Sequence, residues 1–225
     1  MKHLIVNADD FGASRGINRG IIEAHRRGIL TSTSLMVRTP FSPDAAKLAN
    51  TEPRLSVGLH ADLPEALQGS PKQAGEELER QFSRFMELMG VPPTHLDSHH
   101  NVHRKPQLLP LFLESAAAHG LPLREHSPVR YFPNFYGQWG GKSHPEQISA
   151  ESLARMFKTK IGEGITELSC HPGWIDVSFV SGYASEREVE LQTLCDPMLR
   201  RVLADHEIVL VSYHDVAGLL VAAAT

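Results

Sequence analysis

The chain has 225 residues, of which 41% are hydrophobic and 21% are charged, and its formal net charge is -4 at pH 7. These values are ordinary for a globular protein, so we expect residues 1–225 to form a single domain. The slightly negative charge argues against a nucleic-acid partner. No stretch approaches 18 apolar residues and no basic-then-apolar leader opens the chain, so the sequence predicts a cytoplasmic protein without a membrane segment.

Histidine is unusually abundant in this chain. Its 13 histidines include a cluster at His95, His99, His100 and His103. Neutral imidazole is the most common metal ligand in proteins. The two cysteines lack Cys-x-x-Cys spacing, which disfavours a thiolate zinc site and redox chemistry. The ligands of a bound metal are therefore expected among the histidines and carboxylates.

Apolar, β-branched runs alternate with amphipathic stretches, which is typical of an α/β protein with a largely parallel sheet. In chain order we expect strand 4–7, helix 17–27, strand 32–37, helix 43–49, strand 55–60, helix 76–89, strand 95–99, helix 106–119, strand 121–124, helix 150–161, strand 166–170, one or two helices over 185–203, and strand 208–212. The stretch 127–144 is rich in proline, glycine and aromatic residues and has no clear period. We predict that it is a long functional loop.

Polar residues stand at the ends of several predicted strands. Asp9 and Asp10 follow the first strand, and His60, His99 and His171 end or follow later ones. The C-terminal ends of parallel strands point to one face of a barrel, so we expect these side chains to converge there. Adjacent carboxylates repel each other when they are partly buried, which predicts a cation beside them.

An aspartate and two histidines would supply three protein ligands and leave open positions, as in a catalytic metal site. The two neighbouring aspartates should then divide the work, one binding the metal and the other acting as a base toward water. In a regular strand Asp9 and Asp10 would point to opposite sides, so a local twist is required to bring both into one pocket. Asp97 is a candidate for orienting a ligating imidazole.

Four separate motifs, in the right order, resemble the YdjC/ChbG family of carbohydrate deacetylases. They are Ile5-Val6-Asn7-Ala8-Asp9-Asp10-Phe11-Gly12, Val57-Gly58-Leu59-His60, Thr94-His95-Leu96-Asp97-Ser98-His99 and Ser169-Cys170-His171-Pro172-Gly173. The resemblance implies a distorted TIM-like (β/α) barrel related to the NodB-type polysaccharide deacetylases. It also implies a metal-dependent enzyme that removes acetyl groups from N-acetylated sugars such as chitooligosaccharides, and it is compatible with a homodimer.

The resemblance implies a metal site made by Asp10, His60 and His99. The ion is Mg²⁺ or Zn²⁺, because histidine ligands favour zinc whereas an open, water-rich site tolerates magnesium. The catalytic roles follow in the same way. Asp9 resembles the family's base, and Arg124 is similar to the arginine that orients the catalytic aspartate in the related deacetylases.

His171 resembles the histidine that protonates the leaving amine, and we expect nearby carboxylates to hold it as an imidazolium. The chain departs from the family at Asn101, where a histidine is common, and an amide is a poorer metal ligand than imidazole. Whether Asn101, His100 or His103 also contacts the metal stays open. The same applies to Tyr183 and the residue four positions after it, Arg187, for which capping, dimer contact and substrate binding are alternatives.

Two other classes of function fit parts of the pattern. One is another metal-dependent barrel enzyme, such as a sugar isomerase or a phosphodiesterase. An isomerase of this shape usually needs more carboxylate ligands and a lysine near the metal, and no predicted strand ends in lysine. The other is a catalytically silent barrel that binds sugar or metal. Retention of both Asp9 and Asp10 argues against it, because binding alone does not require a base beside the ligand.

Overall fold

The computed structural model describes residues 1–176 and 180–223 and is built around a seven-stranded parallel sheet. The described strands, including a separate two-stranded hairpin, are β1 (Lys2–Phe11), β2 (Ser32–Leu35), β3 (Ser56–Ala61), β4 (Leu96–Ser98), β5 (Arg130–Phe132), β6 (Gln138–Trp139), β7 (Lys142–Ser143), β8 (Gly164–Cys170) and β9 (Ile208–Leu210). The order in the sheet is β4-β3-β2-β1-β8-β5, with β9 also paired to β1. All C-terminal strand ends of this sheet therefore lie on one face.

Helices follow most of the strands, as the alternating sequence pattern predicts. The described α-helices are α1 (Arg15–Arg27), α2 (Ser42–Ala49), α3 (Glu65–Gln68), α4 (Pro71–Met89), α5 (Leu109–His119), α6 (Ala150–Lys160), α7 (Ala184–Leu194), α8 (Pro197–Asp205) and α9 (Val216–Ala223). Short 3-10 helices occupy His99–Arg104 and Pro145–Ile148. Among the described helices, none combines the length and the apolar character needed to cross a bilayer.

The sheet curls, and the chain after β9 closes its concave side. Tyr213 donates its backbone N–H to Ser56 on β3 at 3.2 Å and its hydroxyl to Glu167 on β8 at 2.8 Å. Its ring stacks on His95, just before β4, with 3.8 Å between the centroids. Tyr213 thus contacts β3 through its backbone, and β8 and the start of β4 through its side chain. The predicted distorted α/β barrel is confirmed.

The alternation along β1 separates an apolar face from a polar one. Leu4, Val6 and Ala8 belong to the large core cluster that the outer helices share, and all three are fully buried. On the opposite face the Asn7 side chain donates to Asp9 at 3.0 Å. The inside of the barrel at this end is therefore polar, and it is the place where chemistry can be assembled.

Two predicted elements differ from the structure. The segment 121–124 makes only a single bridge, between Leu123 and Leu96, because Pro122 lacks an N–H to donate to a ladder. The strand beside β8 is instead Arg130–Phe132, inside the stretch predicted as a loop, which also contains the β6–β7 hairpin. A strand of three residues is too short to show a period against aromatic and proline-rich neighbours. No helix was predicted after residue 212, but Val216–Ala223 form α9.

Candidate active site

A cleft of about 560 Å³ opens at the C-terminal face of the sheet. The predicted residues that line it come from four separate parts of the chain and are Asp9, Asp10, His60, His99 and His171. The predicted convergence of these side chains is therefore confirmed. Arg124 lies directly below the cleft and is 1% exposed.

Asp10, His60 and His99 form a cluster in which one potential ligand atom from each residue lies within 4.8 Å of the others. Oδ1 of Asp10 lies 3.3 Å from Nε2 of His60 and 3.1 Å from Nδ1 of His99. The cluster combines one carboxylate oxygen and two imidazole nitrogens, a donor set suited to zinc and other borderline divalent cations.

The backbone at Asp10 explains how two neighbouring aspartates face one cleft. Asp10 has φ of 67°, in the left-handed region that residues with a side chain rarely adopt. The pairing of β1 with β2 is irregular at this point, between Ala8 and Phe11. Asp9 keeps the direction of a regular strand, and the turn at Asp10 brings the second carboxylate to the same side. This is the local twist that the sequence required.

Asp97 orients His60. Nδ1 of His60 lies 2.6 Å from Oδ1 of Asp97, and both side chains are almost completely buried. With Nδ1 donating to Asp97, Nε2 faces the Asp10 oxygen. Burial opposes a charge on His60, but Asp97 and the hydrogen bond with Asp10 raise its pKa well above the usual value. A proton or a cation is therefore favoured between His60 and Asp10.

Arg124 holds Asp9 from below. Its two terminal nitrogens lie 2.8 and 2.7 Å from the two oxygens of Asp9. The same guanidinium contacts Asp97 at 2.8 Å and Glu167 at 2.6 Å. Burial raises the pKa of Asp9, but Arg124 outweighs this effect and lowers it below the usual value. Asp9 is thus an ionised carboxylate with a fixed orientation.

A second group, made of Asp9, His60 and Asp97, also brings three potential ligand atoms together. Its two carboxylates are already paired with Arg124, whereas the described side chains that face Oδ1 of Asp10 are the two histidines of the first cluster. A cation at the second group would lie beside a buried guanidinium and be repelled by it. The residues of the first cluster are the better fit.

The charge balance also fits a divalent cation at the first cluster. Among the described residues at and below the cleft, Asp9, Asp10, Asp97 and Glu167 are buried carboxylates, and Arg124 is a buried cation. Arg187 on α7 is the second buried cation and pairs with Asp10. Glu190 is a fifth buried carboxylate, but its pKa is raised to about 8 and it is protonated at pH 7. With His60 neutral, as a metal ligand must be, two negative charges are left uncompensated, and a divalent ion would neutralise them. Buried charges of this kind are costly when unpaired.

His171 follows β8 and brings Nε2 to 3.9 Å from Oδ2 of Asp9. Its side chain is 22% exposed. Burial lowers the pKa of His171 to about 4, against the opposing effect of Asp9 and Asp10. The expectation that nearby carboxylates hold His171 as an imidazolium is therefore wrong. Desolvation outweighs their attraction, and the imidazole is neutral at pH 7.

Helix α7 carries Arg187 and Glu190, and Tyr183 directly precedes the helix. Arg187 donates to Oδ2 of Asp10 at 2.6 Å. Glu190 accepts hydrogen bonds from the backbone N–H of His171 and, at 2.6 Å, from the hydroxyl of Tyr183. Burial raises the pKa of Glu190 to about 8. The available signal was the spacing of one helical turn between these residues, but it did not show that α7 packs against the turn carrying His171.

Of the histidines in the segment 95–103, His99 belongs to the cluster with Asp10 and His60, and the others do not. His103 contacts the Ser98 hydroxyl at 2.6 Å and is fully buried below the cleft. His100 stacks on His99 with 3.8 Å between ring centroids, and it lines the cleft together with Asn101. Neither residue belongs to the three-residue groups described above. Both have positive φ, 54° and 51°, so the chain turns sharply just after His99.

Two tyrosines from the predicted loop line the cleft. Tyr131 lies over the guanidinium of Arg124, 4.9 Å from ring centroid to Cζ, and contacts the Ser169 hydroxyl at 3.0 Å. Tyr136 stacks on Tyr183 with centroids 4.6 Å apart and planes 3° from parallel. Tyr136 is 40% exposed, so part of its ring remains accessible to a ligand.

Sequence comparison identifies close relatives over nearly the whole chain. The family model described as YdjC-like protein matches residues 3–76 and 64–205. A carbohydrate deacetylase of Geobacillus stearothermophilus is 37% identical, covering 95% of this chain and 98% of the relative. A chitooligosaccharide deacetylase of Serratia marcescens is 36% identical, covering 95% and 99%.

Solved structures share the fold. A protein of Enterococcus faecalis V583, provisionally named for cellobiose-phosphate cleavage, superposes with a TM-score of 0.80 at 28% identity and covers 95% of this chain and 98% of its own. A family 4 carbohydrate esterase from Streptomyces lividans, in complex with acetate, superposes with a TM-score of 0.61 at 13% identity, covering 93% and 91%. The second likeness concerns the fold alone. The sequence resemblance is confirmed, and the chain belongs to the YdjC-like family.

Proposed function

We propose that this protein is a metal-dependent hydrolase that removes acetyl groups from N-acetylated sugars. One observation carries the proposal: the neighbouring carboxylates Asp9 and Asp10 face the same cleft but have different partners. Asp10 faces two imidazoles, and Asp9 is held by Arg124. The names of the relatives, carbohydrate deacetylase and chitooligosaccharide deacetylase, support the same reaction and substrate class.

Asp10, His60 and His99 would hold the divalent ion, with His60 oriented by Asp97. When bound, such an ion polarises a carbonyl oxygen and lowers the pKa of a water molecule. The two imidazoles favour Zn²⁺ over Mg²⁺. We infer that zinc is the better match, and metal analysis of the purified protein tests this.

Asp9 is proposed as the general base. The Arg124 pairing keeps it ionised and fixes both oxygens, so it can take a proton from water as the oxygen of that water attacks the acetyl carbon. Arg124 acts through Asp9, because it lies below the cleft and does not line it. Proton transfer to a carboxylate that is already held in place needs little rearrangement.

His171 is proposed as the proton donor to the leaving nitrogen. Since it is neutral at rest, it must first receive a proton, and Asp9 is the carboxylate beside it, at 3.9 Å. The proton taken from water would pass to His171 and then to the nitrogen as the carbon–nitrogen bond breaks. The products are acetate and a free amino sugar. Asp9 returns to its ionised state.

The exposed part of Tyr136 is proposed to bind the sugar ring, since aromatic faces stack on the C–H face of a pyranose. Its ring is supported by Tyr183 and lies 5.7 Å from the ring of His171. A sugar on Tyr136 would therefore lie beside the proposed proton donor. Trp139 and Trp174 are not among the residues that line the cleft.

Acetate release is the direct test. The protein stripped of metal and reloaded with Zn²⁺ or Mg²⁺ is incubated with N-acetylglucosamine, its disaccharide and longer oligomers. We expect acetate from at least one oligomer, loss of activity with a chelator and recovery on adding metal. Stoichiometric metal binding without acetate release from any of these sugars would contradict the proposed function and favour a barrel that only binds.

The remaining alternatives receive no specific support from the cleft. None of the described residues that line it is a lysine, as an isomerase of this shape would need, and the arginine that lines it pairs with Asp10. We also propose that residues 1–225 act as one deacetylase domain. The cytoplasmic location and the homodimer stay predictions from the sequence.

A further inference from the structure

Arg187 makes a contact that the proposed division of labour between Asp9 and Asp10 does not use. Its Nη2 lies 2.6 Å from Oδ2 of Asp10, and its side chain is 8% exposed. The two histidines of the cluster face the other oxygen, Oδ1, at 3.1 and 3.3 Å. The carboxylate of Asp10 is therefore divided, with one oxygen held by an arginine and one directed to the cluster.

The backbone around Arg187 holds it in this position independently of Asp10. Its Nη1 donates to the carbonyl of His171 at 3.4 Å, and its own carbonyl accepts from the N–H of Gly173 at 3.1 Å. The guanidinium is thus anchored to the turn that follows β8. Since it approaches Asp10 from the side away from the histidines, the arginine and a cation at the cluster can be present together.

We propose that Arg187 is a positioning residue that keeps Asp10 a one-oxygen ligand and weakens cation binding at the site. The inference rests on the proposed metal-dependent function. With Oδ2 occupied, Asp10 would offer a bound ion only Oδ1, so fewer of the ion's positions would be filled by protein. The guanidinium charge repels the cation, so the site binds the cation less tightly but keeps coordination positions free for other ligands.

The charge balance points the same way. With Asp9, Asp10, Asp97 and Glu167 ionised and Glu190 protonated, the site without Arg187 would carry three rather than two uncompensated negative charges. A divalent cation would then be held more strongly, and Asp10 could use both oxygens. A purely structural role for Arg187 predicts the opposite, because loosening Asp10 would weaken the cluster. The sign of the change in affinity therefore separates the two.

The test compares Arg187→Met with Arg187→Lys, which keeps the charge, and with Tyr183→Phe, which loses the hydroxyl contact to Glu190 without touching Asp10. Zinc affinity is measured by competition with a chromophoric chelator. We expect Arg187→Met to bind Zn²⁺ at least about tenfold more tightly than the wild type, from the lost repulsion. The Lys and Phe variants should stay close to the wild-type affinity.

The visible spectrum of the Co²⁺-loaded proteins reports the number of ligands without any turnover. We expect weaker absorption bands for Arg187→Met, because a two-oxygen Asp10 raises the coordination number. Metal-free Arg187→Met should be less stable than the wild type and gain more thermal stability on adding zinc.

Zinc binding by Arg187→Met that is equal to or weaker than that of the wild type, with an unchanged cobalt spectrum, would overturn the inference. If the methionine variant does not fold, Arg187→Gln provides the same comparison without the charge. A wild-type protein that fails to bind a divalent ion would instead count against the proposed function itself.

Discussion

At the scale of single residues, one backbone angle separates the roles of two adjacent aspartates. Asp9 continues the strand and meets Arg124, whereas Asp10, at φ of 67°, turns toward the histidines. The Asp-Asp pair, the three histidines and Arg124 could all be singled out from the sequence, because they stand at strand ends or in recognisable motifs. Their roles stay predictions until the activity is measured.

Arg187 could not be placed from the sequence. Its spacing from Tyr183 was visible, but the partner of a long side chain depends on how α7 packs and not on the helix itself. The protonation state of His171 was predicted wrongly for a related reason. Neighbouring carboxylates are visible in a sequence, whereas the burial that outweighs them is not.

The first prediction concerns Asp97, which holds His60 at 2.6 Å. Asp97→Asn removes a negative charge from the site and weakens the orientation of the ligating imidazole. We expect the Zn²⁺ affinity to fall about 10- to 100-fold, as for other residues that support metal ligands. Chelator competition measures the change.

The matched control is His103→Gln. His103 lies in the same segment but contacts Ser98, so its replacement should leave the zinc affinity unchanged, although it lowers stability. An Asp97→Asn protein that folds and binds zinc as well as the wild type would show that Asp97 does not support the metal cluster.

At the scale of elements, the strands and helices with a clear period were the predictable part. The helix over 76–89, for example, is the C-terminal part of α4. The segments that were predicted incorrectly are short. β5 has three residues and was predicted as part of a loop, and 121–124 was predicted as a strand but makes a single bridge. Pairing at the edge of a sheet depends on the neighbouring strand, so a three-residue segment carries too little pattern of its own.

Gly58 provides a prediction about β3, the strand that delivers His60. A Cβ at this position would lie 2.4 to 2.5 Å from the ring of His95, which cannot retreat because it stacks on Tyr213 at 3.8 Å. We expect Gly58→Ala to lower the free energy of unfolding by about 1–3 kcal/mol. Urea denaturation at pH 7 measures it.

Gly75 within α4 is the matched position. A Cβ there meets only Leu111, at an ordinary distance of 3.7 Å, and alanine is the better helix former. Gly75→Ala should raise the free energy of unfolding by about 0.5–1 kcal/mol. A Gly58→Ala protein at least as stable as the wild type would show that the packing of His95 against Gly58 is not tight.

At the scale of the whole molecule, a polar barrel interior couples stability to pH. Burial lowers the pKa of His95 to about 3, although Asp97 opposes the shift, and the pKa of His171 is about 4. The unfolded chain takes up these protons below about pH 6.5, whereas the folded protein does not. Each of these two histidines should therefore lower the free energy of unfolding as the pH falls from 6.5, whereas Glu190, whose pKa is raised to about 8, acts in the opposite direction.

We expect a loss of about 1 kcal/mol per pH unit for each of these two histidines in the metal-free protein between pH 6.5 and 4.5. His95→Phe keeps the stacked ring and removes the titrating group. Its free energy of unfolding should therefore change less steeply with pH, by the contribution of one proton. Replacing the exposed His214 by Phe is the control. Equal slopes for His95→Phe and the wild type would mean that His95 does not resist protonation in the folded protein.

The central claim is that Asp9 serves as the base while Asp10 binds the metal, and a paired assay of Asp9→Asn tests it most directly. Zinc content and acetate release from N-acetylglucosamine oligomers are measured on the same sample, beside Asp10→Asn. We predict one zinc ion per Asp9→Asn chain, as in the wild type, and acetate release lower by about 10²- to 10⁴-fold. Asp10→Asn should lose the metal. Acetate release near the wild-type rate in Asp9→Asn, or loss of its zinc, would contradict the account.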